Sequence, residues 1–471
     1  MTSTLRGDLR QEEAALGRLG LLVLLVGPFL ANLDFFISNV ALPSIARDLG
    51  ASPAALELIA EGYGVAYALL LVPGGRLGDR FGRRRLFGIG LAAFTITSLL
   101  AGVAPTTGLL VAARFLQGAA AAQLAPQVLA TVQTVLTGPA RARAVSRYAV
   151  AGGLSAVAGQ LVGGLLIQLD LLGLGWRAVF LVNVPFGLAA LLLLRRTVPE
   201  TRATGAAGLD PLGIVLLGVA LVGLLVPLTE GPSLGWPVWC LVLLAAVVPA
   251  VVLLVVAERR AEARGRLPLL PPSLLRVPSM RRGLPVLMVF FVAVGAFLFG
   301  FALTSQYVLG LTPFASGLAI TPVTVAYVAT SFAVPGLLRR FGRGVLVAAG
   351  LVQGSGFASI AVALLLDLHR PSPPLLLVAL LLGGIGQAAG VGALFRIVLS
   401  GVPGALAGVG GGVMVTAQQT AMALGVALLG SLFSALLPVD PALAIGVLGA
   451  ALVVTQLLTA AAARLLPRLE G

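Results

Sequence analysis

The chain has 471 residues, of which 59% are hydrophobic and 10% are charged, and its formal net charge is +14. A chain this apolar cannot hide its hydrophobic residues in water-soluble cores, so the composition excludes a soluble globular protein and indicates an integral membrane protein. All 31 basic residues are arginines that stand in clusters between apolar runs, which is typical of membrane topology and not of a nucleic-acid-binding surface.

Apolar runs long enough to cross a bilayer recur along the whole chain. A helix of about 20 residues crosses a hydrocarbon core of ~30 Å. We therefore predict an all-α fold with about fourteen transmembrane helices. The predicted spans are 19–40, 54–73, 86–104, 107–127, 145–168, 176–194, 211–229, 235–257, 284–306, 313–336, 344–366, 374–395, 406–437 and 441–463.

The positions of the arginines set the orientation of these spans. If the N-terminus lies in the cytoplasm, all but four of the 31 arginines fall on the cytoplasmic side of the membrane. The exceptions are Arg47, Arg177 and Arg370 outside, and Arg114 within a span. The positive-inside rule then predicts that both terminal segments, 1–18 and 464–471, lie in the cytoplasm. We expect the membrane to be the plasma (inner) membrane.

A short repeat divides the chain into two related halves. The sequence Arg-Phe-Gly-Arg stands at 80–83 and again at 340–343, in both cases in a predicted cytoplasmic loop. Transporters built from two repeated six-helix halves produce this signal, with the substrate site between the halves. We predict an N-terminal bundle, two additional helices, a cytoplasmic linker and a C-terminal bundle. Their ranges are 19–196, 211–257, 258–283 and 284–463.

Ionisable side chains within a predicted span are costly, so they are candidates for function. Helical rise places Asp34, Glu61 and Arg114 at similar depths, and Glu57 lies one turn from Glu61 on the same helix face. We predict that these four residues carry proton coupling. Two alternatives stay open: Glu57 reaches the outer membrane surface, and Arg114 is a structural partner for a carboxylate or for backbone carbonyls.

The sequence contains few of the residues that enzymes and metal sites use. Cys240 is the single cysteine and His369 the single histidine. One cysteine allows neither a disulfide nor a thiolate metal site within the chain, and one histidine supplies Ser–His–Asp catalysis and zinc sites poorly. No phosphate-binding Gly-x4-Gly-Lys sequence occurs. We expect no enzyme activity, no metal and no cofactor, and we expect proton transfer to use carboxylates.

The loop 75–85 combines glycines, one acid and five arginines. Glycine permits sharp turns at helix ends, and an aspartate can cap a helix or pair with arginine. We predict a charge latch that closes the cytoplasmic side in one conformation; a purely topological arginine cluster is the alternative. The latch residues are Gly75, Asp79, Arg80, Gly82, Arg83 and Arg84.

Together these motifs resemble the fourteen-span drug–proton antiporters of the major facilitator superfamily. Residues 75–85 are similar to the family's loop motif at almost every position, and 114–118 to its span-four motif, whose arginine the family links to proton coupling. Residues 33–43 are similar to its span-one motif, and 175–185 to its span-six signature. The resemblance implies two six-helix bundles with alternating access, plus two extra helices.

The resemblance also implies a substrate cavity between the halves. We expect six residues to line it, of which Gln418 and Gln419 could instead hold helices together: Phe36, Asn39, Gln117, Gln160, Gln418 and Gln419. Two of these depart from the family pattern, because Gln160 replaces a proline of the span-five motif and Phe36 stands where threonine is common.

The expected function is proton-coupled export of lipophilic, cationic drugs or antibiotics by a monomer. Its partners are a small-molecule substrate, protons and membrane lipid, without nucleic acid. The alternatives are a dedicated exporter of one metabolite, proton-coupled uptake or facilitated transport, which the Gln160 departure permits, and a membrane receptor without transport.

Overall fold

A computed structural model describes residues 16–202, 210–266, 268–367, 372–403 and 406–467. Within these ranges the chain forms helices and turns without β-strands. Fourteen helices are long and apolar enough to cross a membrane, which confirms the predicted count. The spans, labelled α1 to α14 in chain order, are Arg18–Leu49, Pro53–Phe81, Arg83–Gly102, Thr107–Val135, Gly138–Leu169, Gly175–Thr197, Pro211–Pro232, Val238–Ala263, Pro278–Val308, Pro313–Phe341, Gly344–Leu366, Pro373–Leu399, Val409–Leu436 and Pro441–Leu465.

Most helices extend beyond the predicted apolar runs. The first span was predicted to end at residue 40, yet α1 continues to Leu49. Hydropathy marks only the most apolar run of a helix, whereas backbone hydrogen bonding continues the helix beyond it. Some spans contain a change of helix: α4 turns between Thr107–Ala121 and Ala125–Val135, and α9 ends in a π-helix at Thr304–Val308.

The helices pack as two groups with a hairpin beside them. Helices α1–α6, the N-terminal half, pack mainly on one another, and so do α9–α14, the C-terminal half. The α7–α8 hairpin packs on α2 and contacts α13. The halves meet where α5 contacts α10 and where α2 contacts α13. Of the predicted terminal segments, 1–15 and 468–471 lie outside the described residues, as does the loop with His369 and Arg370.

The two halves approach each other unevenly along α5 and α10. We call the end that carries loop 75–85 the arginine-rich end, and the other the opposite end. Near the opposite end, a Cβ added at Gly317 would lie 2.3 Å from the carbonyl oxygen of Gln160. Toward the arginine-rich end, a Cβ at Gly336 would meet no atom within 4 Å, and Phe332 is 74% exposed. The close contact between α5 and α10 therefore lies near the opposite end, and Phe332 and Gly336 of α10 are uncovered toward the arginine-rich end.

Candidate functional site

An ion pair between Asp34 on α1 and Arg114 on α4 lies in the interior of the N-terminal half. Both side chains are 0% exposed, and Arg114 Nη1 donates directly to Asp34 Oδ2. The prediction that these two residues lie at the same depth is confirmed by their contact. Each of them would be very costly to bury alone, so their pairing explains how the apolar interior holds them.

Two amide side chains complete the environment of Asp34. Asn183 on α6 and Gln117 on α4 each donate to Asp34 Oδ1, both over 2.8 Å. Gln117 also donates to the hydroxyl of Ser98 on α3 over 2.8 Å. Asp34 is thus held by groups from two other helices, α4 and α6, and Gln117 extends the network to Ser98 on α3.

Arg114 uses its remaining donors on neighbouring helices. Nη2 donates to the hydroxyl of Ser38 over 3.1 Å, and Nε donates to the carbonyl oxygen of Ile59 on α2 over 3.0 Å. Its guanidinium carbon lies 4.6 Å from the centre of the Tyr63 ring, a cation–π distance. Arg114 therefore pairs with a carboxylate and also with a backbone carbonyl, as the structural reading of this residue expected.

This arrangement can respond to one proton. With Asp34 ionised the pair is neutral, and a proton on Asp34 leaves a buried guanidinium whose charge only neutral groups solvate. In a low dielectric such a change in charge balance is large compared with the energies that separate conformations. The network is therefore chemically suited to couple protonation to a rearrangement of the helices.

Glu61 and Glu57 lie on a different side of α2 from this pair. Both line a cavity of about 20 Å³ bounded by α2, α4, α7 and α13, which has room for about one water molecule. Glu61 Oε2 is buried without a hydrogen-bond donor among the described residues. The charge of Arg114 acts on Glu61, but the two form no ion pair.

Glu57 does not reach the membrane surface, so that alternative is wrong. Its side chain is 3% exposed, and Glu57 Oε2 accepts a hydrogen bond of 2.7 Å from the hydroxyl of Ser431 on α13. Packing against the α7–α8 hairpin and α13 covers this turn of α2. The bond joins the two halves near the opposite end of the molecule.

The six residues expected to line a substrate cavity occupy different places. Gln117 is fully buried in the Asp34 network, and Asn39 is 4% exposed and donates to the carbonyl oxygen of Phe35 over 2.9 Å. Gln160 is 6% exposed, where α5 touches α10. The half-buried positions are Phe36, Gln418 and Gln419, and the Gln419 amide lies 3.2 Å from the place of a Cβ at Gly64.

The residues predicted as a latch make their contacts within the N-terminal half. Asp79 pairs with Arg83 over 2.8 Å, and Arg83 also donates to the carbonyl oxygen of Ala130 over 3.0 Å. Arg84 donates to the carbonyl oxygen of Val198 after α6 over 3.1 Å. Arg80 is exposed and lies over its neighbour Phe81. In this conformation the contacts of Asp79, Arg83 and Arg84 tie α2 and α3 to α4 and α6.

The second copy of the repeat repeats this local geometry. Gly82 and Gly342 both have positive φ, at 107° and 53°, which an L side chain rarely adopts. Arg343 donates to the carbonyl oxygens of Arg464 and Leu466 over 2.7 and 2.9 Å. Each loop therefore binds the end of the last helix of its own half.

Several residues of the site were not singled out in the sequence. Asn183 stood in the span-six signature without an assigned role, and Ser38 and Ser98 carry no charge to mark them. Ser431 follows an ordinary apolar run. Asn32 is exposed on α1, where a Cβ at Gly152 on α5 would lie 4.0 Å from its amide nitrogen. Its polarity within an apolar span was the available signal.

The described residues contain no group of three His, Cys, Asp or Glu side chains placed to hold a metal ion.

Comparison with protein families gives one match over most of the chain. The model described as Major Facilitator Superfamily matches residues 24–426. The chain is 37% identical over 429 residues to the "Probable actinorhodin transporter" of Streptomyces coelicolor, covering 90% of this chain and 73% of that protein. It is 31% identical over 415 residues to "Multidrug resistance protein Stp" of Mycobacterium tuberculosis, covering 87% and 74%.

Solved structures share the fold at low sequence identity. A D-xylose–proton symporter matches with a TM-score of 0.67 and 18% identity, covering 96% of this chain and 98% of that one. A bacterial homologue of the human lysosomal transporter Spinster, in an inward-facing and occupied conformation, matches with a TM-score of 0.67 and 16% identity, covering 94% and 95%.

Proposed function

The chain belongs to the Major Facilitator Superfamily, and from that premise we propose that it exports lipophilic, cationic antibiotics or drugs in exchange for protons. Export is supported by relatives whose names describe the export of, or resistance to, antibiotics or several drugs. They include the "Tetracenomycin C resistance and export protein" of Streptomyces glaucescens, 34% identical over 418 residues, which cover 88% of this chain and 75% of that protein.

The fully buried Asp34–Arg114 pair carries the proposal of proton coupling. A proton that reaches Asp34 neutralises the carboxylate and breaks the ion pair. Arg114 keeps its bonds to Ser38 and to the Ile59 carbonyl, while Asn183 and Gln117 lose a charged acceptor. Since these bonds join four helices, their rearrangement changes how those helices pack. Glu61 and Glu57, buried between α2, α7 and α13, serve as further proton-carrying groups.

The orientation in the membrane sets the direction of transport. The arginine-rich end faces the cytoplasm under the positive-inside rule, in the plasma membrane, with both termini inside. The close contact between α5 and α10 then lies toward the outside, and in this scheme a lipophilic cation enters between the two halves from the cytoplasm. External protons drive the return step after release. The chain works as a monomer in this scheme.

Transport in liposomes tests the proposal directly. Purified protein is reconstituted, a pH gradient is imposed, and movement of ethidium, a lipophilic cation, is followed for the wild type and for Asp34→Asn. We expect ethidium to move against the proton gradient in the wild type and to ignore that gradient in the variant. Asp48→Asn is the matched control, because Asp48 pairs with Arg177 at the opposite end and its side chain is 47% exposed.

Two outcomes would refute parts of this proposal. Gradient-driven transport that survives Asp34→Asn unchanged would remove Asp34 from coupling. Transport that ignores the gradient in the wild type, with Asp48→Asn behaving in the same way, would identify a facilitator instead of an antiporter.

A dedicated exporter of one metabolite is the second candidate. It is favoured by the names of relatives tied to single antibiotics, such as the "Cephamycin export protein CmcT" of Amycolatopsis lactamdurans, 35% identical over 409 residues, which cover 85% of this chain and 82% of that protein. Competition of chemically different lipophilic cations for ethidium transport separates the candidates. A drug exporter is inhibited by many of them, whereas a dedicated exporter neither moves ethidium nor responds to most of them.

A further inference from the structure

Side chains from three helices form hydrogen bonds to the linker between α8 and α9 at the arginine-rich end. The backbone N–H of Leu269 donates to Asp210 Oδ2 over 3.2 Å, and that of Leu270 donates to Glu258 Oε2 over 3.1 Å. The N–H of Ser273 donates to Glu262 Oε2 over 3.2 Å. Arg76, near the end of α2, donates to the carbonyl oxygen of Pro268. The linker leads to α9, so these bonds fasten the entry to the C-terminal half onto α2, α7 and α8.

Two of the carboxyl groups face each other. A Cβ added at Gly213 in the first turn of α7 would lie 2.6 Å from Asp210 Oδ2 and also 2.6 Å from Glu258 Oε1. The two oxygens therefore flank one point. Glu258 is 2% exposed, and its Oε1 has no donor among the described residues. Asp210 Oδ1 is occupied as the helix cap, where it accepts from the N–H of Gly213 over 2.9 Å.

The charges around this point do not balance without a proton. Arg76 is 7% exposed, and its positive charge acts on both Asp210 and Glu258. Two ionised carboxylates beside one guanidinium leave a net negative charge in a buried place. Glu262 is already engaged with the Ser273 N–H, and Arg259 and Arg260 on α8 are exposed. One proton on Glu258 would supply the missing donor and make the group neutral.

We propose that Asp210 and Glu258 form a proton-binding site, separate from the Asp34–Arg114 pair, whose proton holds the linker against α2. The proton resides on Glu258 Oε1, which donates to Asp210 Oδ2. Its loss leaves two carboxylates facing each other, and their repulsion loosens the bonds to Leu269 and Leu270. The site shares no residue with the Asp34–Arg114 network and does not depend on which compound is transported.

Infrared spectroscopy of the purified full-length protein tests whether the proton is there. A protonated carboxyl group gives a carbonyl stretch that an ionised one lacks. Protonated Glu57 and Glu61 absorb in the same region, so we expect the wild type to contain a component of this absorption that disappears in Glu258→Gln. The control is Glu262→Gln, one turn further along α8, which removes a carboxyl group that also binds the linker but keeps that component. An absorption unchanged in Glu258→Gln, or a component lost equally in Glu262→Gln, would overturn the proposal.

A distance measurement tests whether the proton fastens the linker. Cys240 is the only native cysteine, so Cys240→Ala permits spin labels at Phe81→Cys and Leu275→Cys, both at exposed positions. We expect one narrow distance distribution at acidic pH that broadens as pH rises. Glu258→Gln keeps it narrow at every pH, because the amide oxygen still accepts from the N–H of Leu270 while the amide nitrogen always donates to Asp210.

A distribution in the wild type that does not change with pH would contradict the proposal, as would a Glu258→Gln protein that broadens like the wild type. Neither measurement uses a substrate or a gradient. A failure of proton-coupled export in liposomes would therefore leave this result standing, and the reverse also holds.

Discussion

Asn183 donates a hydrogen bond of 2.8 Å to Asp34 and so joins α6 to α1 at the carboxylate that Arg114 neutralises. A neutral amide that solvates a buried charge contributes more than one that bonds to its own backbone. Asn39 is the natural comparison, because its amide donates to the carbonyl oxygen of Phe35 within α1.

Asn183→Ala should lower the free energy of unfolding by about 2 kcal/mol, which is typical of a hydrogen bond to a charged group. Asn39→Ala should cost about 1 kcal/mol or less. Thermal unfolding in detergent measures both. Equal losses in the two variants would show that the bond to Asp34 has no special weight.

Arg114→Gln should destabilise the protein strongly, by about 3–5 kcal/mol, because it leaves the Asp34 carboxylate buried without its partner. The double variant Asp34→Asn with Arg114→Gln should recover a large part of that loss, since neither charge then remains. A double-mutant cycle on unfolding measures the coupling. Additive effects of the two substitutions would contradict a direct ion pair.

Ser431→Ala removes the hydrogen bond to Glu57 that joins the two halves near the opposite end. We expect that end to open more often, by about tenfold if the bond contributes ~1.4 kcal/mol to closure. The rate at which a thiol reagent labels a cysteine introduced at Gln160, in the contact between α5 and α10, reports the opening.

Ser434→Ala is the matched control for that experiment, because Ser434 Oγ on the same helix is buried without a hydrogen-bond partner among the described residues. Its labelling rate should equal that of the parent. If Ser431→Ala also labels at the parental rate, the bond to Glu57 does not hold the halves together.

Gly317→Ala should destabilise the closed contact between α5 and α10, because the added Cβ would lie 2.3 Å from the Gln160 carbonyl oxygen. Gly336→Ala, on the same helix, meets no atom within 4 Å and should instead stabilise the helix by about 0.5–1 kcal/mol. Thermal unfolding and ethidium transport are measured for both variants. The same sign of effect at both positions would refute the close approach.

The sequence predicted the parts of this molecule that depend on distance along a helix. Hydropathy gave fourteen spans, and helical rise put Asp34 and Arg114 at one depth, where they form an ion pair. The repeated Arg-Phe-Gly-Arg placed glycines at two equivalent turns, and both have positive φ. Span count, depth and turn position follow from spacing along the chain, whereas the contact between Asp34 and Arg114 also needs the two helices to face each other.

Features that depend on the rotation of a helix about its axis were not predicted. Depth brought Glu61 to the level of Arg114, but that face of α2 turns toward α7 and α13. Asn183 lies on α6, far from Asp34 in sequence, and nothing in the spacing shows which way its amide points. Glu57 was left open between two environments because only tertiary packing decides whether a neighbour covers it.

The glycine contact between α5 and α10 has a mechanical consequence. Because Gly317 approaches the α5 backbone without a side chain between them, α10 can tilt about that point as a lever about a fulcrum. From Gly317 to Phe341 the helix is about 36 Å long at ~1.5 Å per residue. A tilt of ~10° would move the Phe341 end by about 6 Å. A tilt too small to break the contact at Gly317 would therefore admit or release a solute at the arginine-rich end.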